Sequence, residues 1–176
     1  MRLLAPLFII SVLLIPGCWF SNLAVSPASP RPNVMLAEAK TPASLVLAPD
    51  IANDFVIPQN ASMNAVPVHG WRQTLEAGFH NAFPSGSAGR KLELFSAELT
   101  FAPAAVGRGG TAAVVATIRF KARVLDPSGK ELAVLAATAV AREANVSPSE
   151  AGMTDNASKA VEALYEVLTA ELLAKT

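Results

Sequence analysis

The feature of this sequence that most restricts its fold is a turn between two strand-like runs. Residues 112–125 alternate apolar side chains with charged ones, and residues 130–142 form a second run of strand-forming composition. Between them lies an Asp-Pro-Ser-Gly turn at residues 126–129, in which proline presets the first turn dihedral and glycine tolerates positive φ. The sequence therefore predicts a β-hairpin with one face of each strand directed into a core.

The remaining elements follow from hydrophobic periodicity. A short apolar run at residues 43–48 and alternation along residues 91–101, with Phe95 on the apolar side, predict two more strands. Apolar residues recur at spacings of three and four along residues 68–83 and 148–174, which predicts two amphipathic helices.

The order strand, helix, three strands, helix predicts an α+β domain over residues 44–176. Two helices packed on one face of a four-stranded, largely antiparallel sheet would bury every apolar stripe. Residues 51–67, which hold two prolines, are expected to be a connection with at most a short extended piece. The other face of the sheet would carry its charged residues in water: Glu98, Arg119, Lys121, Arg123 and Arg142.

The only cysteine, Cys18, closes an apolar N-terminal segment. Arg2 and the apolar run at residues 3–15 have the layout of a secretory signal. The residues Ile-Pro-Gly-Cys at 15–18 resemble the bacterial lipobox, in which a diacylglycerol is attached to the cysteine sulfur and the new amino group is usually acylated. This resemblance implies that residues 1–17 are a signal peptide and that Cys18 carries the lipid. An uncleaved leader with a free cysteine is the alternative.

Composition restricts what lies beyond the anchor. Residues 18–43 are rich in Ser, Ala, Asn and Pro, which predicts a disordered tether between the lipidated Cys18 and the domain. The 14 basic residues balance the 14 acidic ones, so no global charge attracts nucleic acid. Without a second cysteine, a disulfide framework and a thiolate metal site are excluded. No cofactor is expected apart from the covalent lipid.

The element order, the lipobox-like residues 15–18 and the proline-rich segment together resemble the small lipoproteins of Gram-negative outer membranes. Closest in layout are the lipopolysaccharide-assembly lipoprotein that plugs a β-barrel and the auxiliary lipoproteins of ABC-type transport systems. The resemblance spans about residues 45–173 and rests on architecture. It implies a non-enzymatic accessory or scaffold subunit of an envelope transport or assembly system. Trp19, in place of a retaining aspartate, favours an outer-membrane location facing the periplasm.

Arg119, Lys121 and Arg123 are the candidate contacts with a partner. Alternation places these three cations on one face of one strand, about 7 Å apart. Such a strip would meet an acidic surface of an envelope protein complex or the phosphates of a lipid headgroup, whereas an ordinary solvated face is the alternative. Because no aromatic residues interleave with the cations, a nucleic-acid platform is not expected.

No catalytic or metal-binding constellation is predicted. His69 and His80 would lie about 16 Å apart along one helix, too far to share an ion. The loops at residues 85–89 and 107–110 fit connectors better than a nucleophile loop or an anion loop. An envelope hydrolase or a peptidoglycan-binding module is the alternative class of function.

Overall fold

A computed structural model describes residues 24–27, 29–58, 64–84, 89–104, 113–141 and 149–176. The predicted lipidation site Cys18, Arg142 and the loop at residues 107–110 lie outside the described residues, as do residues 85–88. The predicted α+β class with two helices and a four-stranded sheet is confirmed.

Six strands and two α-helices make up the described part of the domain. In chain order they are β1 (Ser44–Leu47), β2 (Phe55–Ile57), β3 (Val66–Val68), α1 (Trp71–Ala82), β4 (Lys91–Ala104), β5 (Ala113–Leu125), β6 (Glu131–Val140) and α2 (Glu150–Glu171). The main sheet has the order β1, β4, β5, β6, and β2 pairs with β3 in a separate small sheet. The predicted hairpin between β5 and β6 is present, with antiparallel pairing across the turn at residues 126–129.

The main sheet is mixed, which corrects the largely antiparallel arrangement expected from the sequence. β4, β5 and β6 form an antiparallel meander, but β1 runs parallel to β4, with Ser44 opposite Lys91 and Leu47 opposite Leu94. Between β1 and β4 the chain passes through β2, β3 and α1, a crossover long enough to bring it back into the sheet in the same direction.

The β2–β3 hairpin occupies a segment that was expected to be a connection. Phe55 pairs with Val68 and Ile57 pairs with Val66. Strands of three residues give no readable period, and Pro67 inside β3 argues against a strand in the sequence. Helix α1 accordingly begins at Trp71, three residues later than predicted.

The two helices differ in their contacts with the sheet. α2 packs on β5 and β6, whereas α1 packs on α2 and touches the short strand β1. The Arg72 guanidinium on α1 donates hydrogen bonds to the carbonyls of Leu47, Ala48 and Ile51, at and just beyond the end of β1. The prediction that both helices pack on one face of the sheet is therefore corrected in part: α2 covers the sheet, whereas α1 packs mainly on α2 and lies on the β1 side.

Residues 24–27 and 29–43 correct the expectation of a disordered tether. Val25 is fully buried and forms an isolated parallel bridge with Val68. The Thr74 hydroxyl donates to the carbonyl of Pro27 at 2.6 Å, and the Asn81 amide donates to that of Pro30 at 2.7 Å. Apart from a short 3-10 helix at Glu38–Lys40, this proline-rich segment is extended or irregular. Its carbonyls still accept hydrogen bonds from α1, so the chain lies along the domain as a strap.

Among the described residues, no helix is both long and apolar enough to cross a membrane.

Candidate functional site

The face of the main sheet opposite the helices carries the residues predicted as partner contacts. Arg119, Lys121 and Arg123 all lie on this open face of β5, while Phe120 and Ala122 between them are buried against the helices. The predicted alternation of β5 is thus present in the structure.

Arg123 is held within the protein. Its Nε donates to a carboxylate oxygen of Glu93 on β4, and its Nη1 lies 3.4 Å from a carboxylate oxygen of Glu131 on β6. Its guanidinium carbon lies 4.7 Å from the ring centroid of Phe95. The hydrogen bond with Glu93 raises the pKa of Arg123. Its charge is therefore compensated by β4 and β6.

Phe95 reaches the open face because β4 contains an irregularity. The register between β4 and β5 shifts between Leu94 and Ser96. Before the shift Leu94 faces the core, and after it Ala97 and Leu99 face the core, so Phe95 leaves the apolar stripe. This corrects the expectation that Phe95 belongs to the apolar face, and it supplies the ring on which Arg123 rests.

Arg119 and Lys121 remain exposed to solvent, and within the described ranges neither forms an ion pair. They line a shallow groove of about 470 Å³ on the open face. Thr138 of β6 lies opposite Arg119, and Ser96 of β4 lies opposite Lys121. The groove therefore combines two cations with two hydroxyl groups, each able to donate to an anionic oxygen.

One acidic residue lies in the same groove. Glu98 on β4 is the cross-strand neighbour of Arg119, and it is exposed. Opposite charges on directly paired positions attract weakly in water. The groove thus presents a mixed pattern in which the cations outnumber the carboxylate by two to one.

A second polar cluster lies where α1 begins. Asp54 accepts a hydrogen bond from the Gly70 N–H at 3.1 Å, and its carboxylate lies 3.3 Å from His69 Nδ1. The Gly70 N–H, the Asn53 amide and His69 hold the pKa of Asp54 below its usual value. The prediction that His69 lies within the first helix is wrong, because His69 precedes Gly70, the N-cap residue of α1. Its contact with Asp54 was not indicated by the sequence, since 15 residues separate the two.

This Asp54–His69 pair does not extend to a nucleophile in the described residues. His69 lines a groove of about 360 Å³ together with Ser26 and Ser29, and Ser29 has a positive φ of 45°. Neither hydroxyl is hydrogen-bonded to the imidazole, whose side chain is 55% exposed. A Ser-His-Asp system requires the base within hydrogen-bonding reach of the hydroxyl and an orienting carboxylate.

An apolar groove of about 230 Å³ lies beyond the end of β1. Trp71 donates its indole N–H to the carbonyl of Ala97 on β4 at 3.0 Å, and Phe55 packs edge-on against the indole at 6.2 Å. Trp71 therefore bonds to a part of the β4 edge that lies beyond the last residue pair of β1 and β4, Leu47 with Leu94. The periodicity of α1 assigned Trp71 to the core and gave no sign of this contact.

The comparisons with known proteins give no family for this chain. No family model matches it, and a search of curated proteins finds no match. In the described part of the molecule, no group of three or more His, Cys, Asp or Glu side chains is placed to hold a metal ion.

Proposed function

We propose that this chain is a non-enzymatic envelope lipoprotein, anchored through Cys18, whose domain binds an acidic surface of another envelope protein. Arg119 and Lys121 supply the contact, and the domain serves as an accessory or scaffold subunit of a transport or assembly system. The proposed location is the periplasmic side of the outer membrane.

The observation that carries this proposal is the difference between Arg123 and its two neighbours. Arg123 is compensated by Glu93 and Glu131, so its positive charge stabilises the sheet. Arg119 and Lys121 lie on the same open face as Arg123, but neither has a carboxylate partner of this kind among the described residues. Two cations that form no ion pair within the described ranges and that line a shallow groove favour an anionic partner, by long-range attraction and by charge-assisted hydrogen bonds.

An acidic protein surface fits this groove better than a single phosphate group. A phosphate is bound best where several donors converge on one point, whereas Arg119 and Lys121 are spaced along a strand by about 7 Å. Glu98 beside Arg119 would repel a phosphate, but it can receive a basic residue of a protein partner. Mixed charges of this kind set the orientation of protein–protein contacts.

The anchor follows from the sequence alone, since Cys18 is not described. Wild-type protein should incorporate radioactive fatty acid, and Cys18→Ala should incorporate none. Equal labelling of the two proteins would remove the anchor from the proposal.

The binding site is tested by reversing the two exposed charges together. Arg119→Glu with Lys121→Glu should preserve the circular dichroism spectrum, because exposed side chains contribute little to stability. Co-purification of the partner in mild detergent should fall by at least about tenfold, since each desolvated charge contact contributes about 2 kcal/mol. The matched control, Arg119→Lys with Lys121→Arg, keeps the charges and should keep the partner. A reversed variant that retains the partner would refute the assignment.

A hydrolase is the second candidate function, and the Asp54–His69 pair is the observation that favours it. His69→Ala should abolish hydrolysis if the pair acts as a general base, and it should leave partner capture unchanged if the charged groove carries the function. Complementation of a deletion strain by His69→Ala therefore separates the two candidates.

A further inference from the structure

Strand β6 forms one edge of the main sheet, and this edge is poorly protected along residues 133–140. A shift in its register with β5 lies near its start, beside Leu132. β6 spans Glu131–Val140, and no strand in the described ranges pairs with its outer side. Proteins normally blunt such edges with charged side chains, prolines, bulges or very short strands. Between Glu131 and the end of β6 there is no charged residue and no proline. The opposite edge is different, because β1 has only four residues and Pro49 follows it closely.

The directions of the backbone N–H and C=O groups along this edge follow from the hydrogen bonds that β6 makes with β5. The Ala141 N–H donates to the carbonyl of Ala116 on β5, which fixes the phase of the ladder. From residue 133 to residue 140, odd-numbered residues of β6 thus direct their N–H and C=O groups to β5, and even-numbered residues direct theirs outward. The register shift beside Leu132 interrupts this alternation. A regular row of outward donors and acceptors runs from residue 134 to residue 140, and it is a template for another strand.

Three large apolar side chains along β6 are exposed. Leu132 is 40% exposed, Val134 is 55% exposed and Val140 is 48% exposed. These three account for half of the large exposed apolar residues in the described part of the chain. A strand added at this edge would place its own side chains beside them and remove apolar surface from water.

We infer that β6 pairs antiparallel with β6 of a second copy of this chain, with the two-fold axis at Ala136. This register pairs Val134 with Thr138 in two symmetric repeats and Ala136 with itself, and it brings Leu132 beside Val140 at each end of the seam. Each of these three central pairs exchanges two backbone hydrogen bonds, which makes about six across the centre of the seam.

The composition of β6 favours a second copy of this chain as the partner that pairs with this edge. A two-fold interface brings the same surface against itself, so any charge near its centre would meet a like charge. β6 carries none between residues 132 and 140, and apolar or β-branched side chains meet at the outer pairs. Ala136 has the smallest side chain among the outward residues 134, 136, 138 and 140, and it lies on the axis where the two backbones approach.

The resulting dimer has one continuous eight-stranded sheet. Because β5 is the neighbour of β6, the groove of Arg119 and Lys121 lies beside the seam in each copy. Both grooves open on the same face, so a dimeric partner would contact both at once.

Cross-linking of the full-length lipidated chain tests the pairing. Ala136→Cys should form a disulfide with its own copy, because directly paired residues have Cα atoms about 5.5 Å apart. Ala102→Cys is the matched control, since Ala102 is exposed on β4, two strands from the seam. The parent chain, with Cys18 alone, gives the background. A cross-linked dimer with Ala136→Cys only is the expected result.

Mass measurement in mild detergent provides a second readout. The parent should be dimeric, and Ala136→Lys should reduce the dimer fraction by at least about tenfold, because two like charges then face each other across the axis. Ala102→Lys should leave the dimer intact. A monomeric parent, an Ala136→Lys variant that stays dimeric, equal cross-linking at residues 102 and 136, or a cross-link from residue 136 to a chain of another size would each overturn the inference.

Discussion

The hydroxyl group of Tyr165 on α2 donates a hydrogen bond to the carbonyl oxygen of Leu75 on α1 at 2.6 Å, in a site closed to solvent. The phenol ring also packs edge-on against Phe79 and Phe83, with centroids 6.4 Å and 6.1 Å away. One side chain therefore joins the two helices through both a polar and an apolar contact.

Tyr165→Phe should lower the free energy of unfolding by about 1 kcal/mol, because the ring stays and only the hydrogen bond is lost. Tyr165→Ala should cost about 3 to 5 kcal/mol, since it also leaves a cavity. Burial raises the pKa of Tyr165. The contribution of the neutral phenol to stability is therefore complete below the usual pKa of 10.0, and it is lost as the pH rises above that value. Urea unfolding at pH 7 and pH 11 checks both points. A Phe variant as alkali-sensitive as the parent would contradict the assignment.

Gly78 allows α1 to approach α2 closely. A Cβ atom at this position would lie 2.7 Å from Cε2 of Tyr165 and 2.9 Å from a methyl carbon of Val161. Gly78→Ala gains helix propensity of about 1 kcal/mol, but overpacking costs about 1 to 3 kcal/mol, so we expect net destabilisation. The control Glu76→Ala, on the exposed side of α1, should leave the melting temperature nearly unchanged. A more stable Gly78→Ala protein would show that the helices are less tightly packed.

Asn156 on α2 continues the ladder of β5 where β6 ends. Its buried amide accepts a hydrogen bond from the Ala116 N–H at 2.9 Å and donates one to the carbonyl of Val114. Asn156→Ala leaves both backbone groups buried and unpaired, which should cost about 2 to 4 kcal/mol. The exposed Asn33→Ala is the matched control. Equal denaturation midpoints for the two variants would mean that water replaces the amide.

Asp126 fastens the turn between β5 and β6. Its carboxylate accepts bonds from the Ser128 hydroxyl at 2.6 Å, the Ser128 N–H at 2.8 Å and the Lys130 N–H at 2.9 Å, which lowers its pKa. The ionised carboxylate therefore stabilises the turn at pH values above the usual pKa of 3.8. This stabilisation is lost as the pH falls through the lower pKa that Asp126 has in the folded protein. The melting temperature of Asp126→Ala should accordingly approach that of the parent as the pH is lowered from 7 to 2. A constant difference across that range would contradict the ionic role.

The sequence predicts best where periodicity and turn chemistry agree, as they do from β5 to β6. It fails where the determining contact lies far away in the chain. The strap of Val25 and Pro27 is an example, because its order comes from Val68 and Thr74, and composition alone indicates a tether.

The apolar positions of β4 change phase along the strand, and this change is readable in the sequence. Leu92 and Leu94 occupy even positions, whereas Ala97 and Leu99 occupy odd ones, and this change indicates the irregularity that moves Phe95 to the open face. The sequence placed Arg119, Lys121 and Arg123 together, but it did not indicate that Glu93 and Glu131 compensate only the third. Cross-strand register, which decides that pairing, depends on the whole sheet.

The salt dependence of partner capture tests the central claim most directly. Exposed charges attract over a screening length of about 14 Å at 50 mM salt and about 4 Å at 500 mM. The parent protein should therefore capture several-fold less partner from solubilised envelopes at the higher salt. A variant with Arg119→Ala and Lys121→Ala should capture little at either concentration. Equal capture by the parent and the variant at both concentrations would contradict the account.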